Sequence, residues 1–167
     1  EGVEEPNLGV IGQKALERDP ENLEIYGNLG FVLIQESRHA EACAILERGL
    51  RNWPESLWLS YQLAYGLHEA NRFAEAIPFA EKVAARPNSL QARAYMILGM
   101  CQVCLGQIAE GKAAFESALK LEPRLAMIHE NAGYVFNLVG RFPEAIAHLE
   151  RAIELKPDQP MVLNYLG

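Results

Sequence analysis

One period runs through the chain and constrains its fold more than any other feature. The small member of each Leu-Gly-like pair stands at Gly30, Ala64, Gly99, Gly133 and Gly167, at intervals of 34, 35, 34 and 34. A second small-residue series, Ala42, Ala76, Gly111 and Ala145, steps by 34, 35 and 34. The prolines Pro20, Pro54, Pro87, Pro123 and Pro157 step by 34, 33, 36 and 34. Three series thus keep one period. Such a chain folds as repeated supersecondary units, each too small to bury its own apolar face and each covered by the next.

Within a period the apolar residues fall on two helical stripes. Ile25, Tyr26, Leu29 and Leu33 form one, and Ala42, Ile45, Leu46 and Leu50 the other. The i, i+3/i+4 spacing is that of amphipathic helices. Turn-prone triplets separate the stripes: Glu36-Ser37-Arg38, Ala70-Asn71-Arg72, Leu105-Gly106-Gln107 and Val139-Gly140-Arg141. Asn22, Ser56, Ser89 and Asp158 precede the first helices as candidate caps. Pro143 falls in the first turn of its helix, where a missing N–H costs nothing. Each repeat reads as helix, turn, helix and a proline-marked link, with no strand required. Pro78 is the irregularity. It predicts either a late or kinked start to its helix or a helix that begins at Pro78 itself.

These residues resemble the tetratricopeptide repeat family. The stretch 126–159 carries the motif best, with Ala132-Gly133, Phe136, Gly140, Phe142, Ala145, Leu149, Ala152 and Pro157. The resemblance implies an all-α fold: a right-handed α-solenoid of helix-turn-helix repeats with first helices lining the concave side. Four full repeats are expected at 23–56, 57–91, 92–125 and 126–159. Residues 1–22 read as the second helix of a preceding, partial repeat, and 160–167 as the start of a fifth, truncated one. Neither end has the polar outer face of a capping repeat. A chain that continues in both directions, or ends that pack on another molecule, is therefore expected.

Composition excludes several classes of partner. Lys and Arg total 15 against 22 Asp and Glu, a net charge of −7. Phosphate-backbone binding draws on Lys and Arg, so nucleic acid is not an expected ligand. There is no basic face for an anionic membrane and no apolar run of about 20 residues to span one. Cys43, Cys101 and Cys104 are an odd set, read as reduced core thiols that weakly favour a reducing, cytoplasmic compartment. The first residue is Glu1 and no signal segment follows it, so a processed product or fragment is expected.

Catalytic chemistry finds no foothold in the pattern. His39, His68, His129 and His148 lie in no local nucleophile signature, and the glycines follow the repeat rather than cluster around a phosphate. Cys101-Gln102-Val103-Cys104 falls inside a helix rather than at its start, without a second ligand pair, and reads as core. His129 occupies a packing position and reads as a packed or half-exposed side chain. No metal and no cofactor is expected.

The resemblance places a peptide-binding groove on the first helices. Its family positions fall here on Asn28, Phe31, Trp58, Tyr61, Gln62, Tyr65, Arg93, Met96, Met100, Met127, Asn131 and Tyr134. Aromatic and methionine side chains supply rigid area and adaptable contact, and Asn and Gln can bond a peptide backbone. Packing against neighbouring first helices is the competing use of the same residues. The basic clamp that grips acidic C-termini in some relatives is absent, since Gly27, Phe31, Gln62 and Ile97 occupy its sites and only Arg93 matches in charge. An asparagine series like that of the O-linked N-acetylglucosamine transferase superhelix is matched at Asn28 and Asn131, approached at Gln62 and broken at Ile97.

The expected function is a non-catalytic protein-interaction scaffold that binds a peptide or helical segment, basic or apolar in character. Two alternatives stay open. One is a regulatory or substrate-recognition arm of a larger enzyme such as a glycosyltransferase. The other is a homo-oligomer that stacks through its open ends.

Overall fold

The structure, a computed structural model, describes residues 8–157. The cap candidate Asp158 and the stretch 160–167 lie outside the described residues. Among those described, nine helices follow one another without a strand: α1 (Leu8–Arg18), α2 (Leu23–Gln35), α3 (His39–Asn52), α4 (Leu57–Glu69), α5 (Phe73–Ala84), α6 (Gln91–Cys104), α7 (Ile108–Leu121), α8 (Ala126–Leu138) and α9 (Phe142–Leu155). Two compact units divide at Phe79 and Ala80, inside α5.

All four turn triplets end a helix in the same way. Ser37, Asn71, Gly106 and Gly140 have left-handed backbone, with φ of 59°, 58°, 79° and 74°. One residue later an N–H reaches back five positions, Arg38 to Leu33 O, Arg72 to Leu67 O, Gln107 to Gln102 O and Arg141 to Phe136 O, each at 2.8 Å. This is the Schellman arrangement, which satisfies carbonyls left over at a helix end. Three of the four turns then bind themselves to the next helix by an ion pair: Arg38 to Glu41, Arg72 to Glu75 and Arg141 to Glu144.

Two of the cap candidates cap. Asn22 Oδ1 accepts from Glu24 N at 3.1 Å, and Ser56 Oγ from Leu59 N at 3.2 Å. Ser89 does not. No side chain caps α6, but the preceding Asn88 braces its approach: its Oδ1 accepts from Leu90 N at 2.8 Å, and its Nδ2 donates to Val83 O at 2.9 Å and Arg86 O at 2.5 Å. That side chain, with Gln91 Nε2 donating to Ala84 O, ties together the link whose proline spacing is irregular.

Pro78 neither delays nor begins its helix. α5 starts at Phe73 and carries Pro78 inside it. The ring deletes one N–H, and the carbonyl it would have met belongs to Ala74, which is exposed like Pro78 itself. An orphaned carbonyl at an exposed position can bond water, which is compatible with a helix that continues through the proline.

In the first unit, α1 packs on α2, α2 on α3 and α4, and α3 on α4. Tyr26, Leu29, Leu33, Leu46, Leu59 and Leu63 are among its buried apolar residues. Tyr26 is fully buried, donates its hydroxyl to Pro20 O at 3.0 Å and meets the edge of Trp53. In the second unit, α6 pairs with α7 and α8, α7 with α8, and α8 with α9. Met96, Met100, Val103, Phe115, Ile128, Val135 and Phe136 share one core there. Backbones approach closely where the small-residue series meet: a methyl on Gly99 would stand 3.0 Å from Gly111 O, and one on Gly133 3.2 Å from Ala145 O.

Candidate functional site

The first-helix residues expected to line a groove divide by burial into those that can meet a ligand and those committed to packing. In the first unit, Asn28 and Phe31 are exposed on α2, Phe31 at 46%. Trp58, Tyr61 and Tyr65 are half-buried on α4, and Gln62 is buried. The α2 pair lies one helical turn apart, so an apolar ring and an amide stand side by side at the surface. Burial pushes the Tyr65 phenol up, with the nearby Glu69 carboxylate adding to it. Tyr65 is therefore a neutral hydroxyl on a partly apolar ring.

In the second unit, Arg93 and Tyr134 are exposed, Tyr134 at 39%, and Met127 and Asn131 are half-buried. Asn131 Nδ2 donates to Met127 O at 2.8 Å and lies 3.5 Å from the Met96 sulfur. That amide is therefore engaged by its own helix and by α6. Met96 and Met100 are 5% and 4% exposed and sit in the core beside Phe115 and Phe136. The physical reason lies in α6, which buries Ala92, Ala94, Met96, Ile97, Leu98, Met100, Cys101 and Val103 around most of its circumference. Arg93 is the one exposed residue of α6, so the helix has almost no solvent stripe on which to display methionines. Ile97, which breaks the asparagine series, is wholly buried.

The thiols behave as core groups. Burial pushes Cys101 up to about 12 and raises Cys43 and Cys104. Thiols held in their protonated form are poor nucleophiles and poor ligands. Among the described residues, no group of three or more His, Cys, Asp or Glu is placed to hold a metal ion. No helix among them is long and apolar enough to cross a membrane.

Sequence reading missed one polar feature. His129 on α8 and His148 on α9 meet Nδ1 to Nδ1 at 3.0 Å. No spacing rule links residues 19 apart, and only the hairpin brings them together.

Comparison with known proteins places these helices in a family. Two family models, both described as tetratricopeptide repeat, match residues 12–44 and 104–160. The chain belongs to the tetratricopeptide repeat family. Its fold class is the all-α helical-repeat solenoid of TPR proteins. A crystal structure of YrrB, described as a TPR protein with an unusual peptide-binding site, is similar with a TM-score of 0.68 and 25% identity, covering 94% of this chain and 80% of that one. A MamA structure from Desulfovibrio magneticus RS-1 shares the fold with a TM-score of 0.72 at 21% identity, covering 91% of this chain and 85% of that one. The protein O-mannosyl-transferase Tmtc3 of Drosophila melanogaster is 25% identical over 154 residues. Those residues are 92% of this TPR chain but 16% of the length of that relative.

Proposed function

We propose that this chain is a non-catalytic protein-interaction module that holds a peptide or helical segment on its first-helix faces. The observation that carries the reading is the exposure of aromatic rings at family ligand positions, Phe31 at 46% and Tyr134 at 39%. A part-exposed ring on a face otherwise built for packing is a ready anchor for an apolar side chain. Asn28, one turn before Phe31, offers a donor and an acceptor to a peptide backbone. The likeness to YrrB, whose description includes a peptide-binding site, supports this choice of ligand class. The proposed contact set is Asn28, Phe31, Trp58, Tyr61 and Tyr65 in the first unit, with Arg93, Met127 and Tyr134 in the second. Met96, Met100 and Gln62 act beneath these faces as support.

A displayed random-peptide library, panned on wild type and then on Phe31→Glu and Tyr134→Glu, tests the reading. Peptides enriched on wild type should lose binding to at least one variant while both variants keep native helix content. No enrichment, or binding indifferent to both changes, overturns it.

The match to Tmtc3 across nearly the whole chain favours a second reading, in which these repeats are the recognition arm of a larger glycosyltransferase. The bound segment would then belong to that enzyme's protein substrate. Peptides recovered from the library would carry hydroxyl-bearing Ser or Thr at a fixed distance from the apolar anchor under this reading, and no such register under the first.

A further inference from the structure

The paired imidazoles of the α8–α9 hairpin have the geometry of a chelate. Nδ1 of His129 faces Nδ1 of His148 at 3.0 Å, with ring centroids 5.2 Å apart and planes at 43°. His148 stacks on Phe136 at 5.8 Å and 18°, and both rings adjoin Phe115. Aromatic packing thus fixes one imidazole from behind. His148, though not His129, also lines an open cleft of about 240 Å³ shared with Lys112, Glu116 and Glu144. The Lys112 ammonium is bound to the Glu144 carboxylate at 3.0 Å, which offsets its charge toward an incoming cation.

Neutral imidazoles in this arrangement share one proton between two facing nitrogens. Shifting that proton to Nε2 of the same ring leaves two neutral imidazoles whose Nδ1 lone pairs are both open to a metal ion. An ion about 2.0 Å from each nitrogen would see the 3.0 Å separation under an angle of about 97°. That is close to the right angle between neighbouring ligands in tetragonal complexes, the geometry of Cu²⁺ and Ni²⁺.

We propose that His129 and His148 form a two-imidazole chelating site for a late first-row divalent ion, Cu²⁺ ahead of Ni²⁺ and Zn²⁺, with water completing the coordination. The order follows the general affinity series for nitrogen sites. Burial, with Arg151 acting on His129 and with His129 and Lys112 acting on His148, favours the neutral rings that a metal requires.

The test is titration of the intact chain with Cu²⁺ in a non-chelating buffer at neutral pH, read by calorimetry and by pulsed electron paramagnetic resonance. One equivalent should bind with two coupled imidazole nitrogen systems. His129→Gln should weaken that equivalent by roughly 100-fold, since the second ligand no longer acts at high effective concentration. His39→Gln and His68→Gln should leave it unchanged. A one-imidazole spectrum of wild type, or an affinity insensitive to both His129→Gln and His148→Gln, overturns the site. The wild-type spectrum decides by itself should either variant fail to fold.

Discussion

The indole of Trp58 occupies the space above Cα of Gly27: a methyl added at Gly27 would overlap Cη2, Cζ3 and Cζ2 of the ring. The two residues belong to neighbouring first helices, α4 and α2, and the ring is the spacer between them. Trp58 is therefore half-buried because it serves packing and surface together. In Gly27→Ala the gain in helix propensity, up to about 1 kcal/mol, opposes an overpacking cost of about 1–3 kcal/mol. A net loss of roughly 1–2 kcal/mol is expected in urea unfolding, with a shift in tryptophan emission. A variant more stable than wild type would mean that the indole is free to move aside.

Four helix ends use left-handed backbone, but only Gly106 and Gly140 fill it with glycine. Ser37, at φ 59°, carries a Cβ where the left-handed region costs about 1–2 kcal/mol. Ser37→Gly should stabilise the chain by roughly 0.5–1 kcal/mol after its own entropic loss. Gly106→Ala and Gly140→Ala should destabilise it by about 1 kcal/mol, although a methyl at either site meets nothing within 4 Å. Thermal melts of the three variants check this. Equal melting temperatures would rule out backbone strain as the term that matters.

Acid should weaken the second unit in two separate windows. Burial is the main cause that holds His148 down to about 4, against an ordinary 6.5, and it also lowers His129. The unfolded chain therefore binds protons that the folded chain refuses, and stability falls as pH drops from 6.5 toward 4. The loss from His148 should be about 1–2 kcal/mol once partial exposure is allowed for. Glu144, held at about 2 by Arg141 first and Lys112 next, gives up its share only as pH falls below 4.5. Melting temperature against pH should thus decline already between 6.5 and 5 in wild type, and the slope there should be shallower in His148→Leu. An unchanged slope would remove the pair as the cause.

Phe31 and Met100 look alike as apolar first-helix residues, but their substitutions should separate sharply. Met100→Ala should cost about 2–4 kcal/mol, because it opens a cavity against Phe115 and Phe136. Phe31→Glu, at a position 46% exposed, should stay within about 0.5 kcal/mol. Chemical denaturation of the two variants measures both. Similar losses at the two positions would place Phe31 in the core as well.

The repeats were legible because their signals are local. A helix stripe, a left-handed turn residue and an N-cap each lie within a few positions of the bonds they make, so Asn22, Ser56 and the four triplets could be read directly. Ser89 misled because the neighbouring Asn88 holds this link instead, accepting from Leu90 N and donating to Val83 O and Arg86 O. Pro78 misled because its cost depends on whether the orphaned carbonyl meets water, which only the exposure of Ala74 decides.

Groove positions were harder, since the family pattern names positions on a helix and not the depth at which each is buried. α6 shows the difficulty: its apolar circumference put Met96 and Met100 in the core, while the same register on α2 left Phe31 in solvent. The sequence by itself determined the period, the helices, their turns and the family, because backbone preference and apolar spacing act over short separations. Only the tertiary structure decided which aromatic rings stay in water, which glycine carries an indole and which two histidines meet. Those outcomes depend on side chains from different helices competing for one volume, and no single stretch of sequence contains that competition.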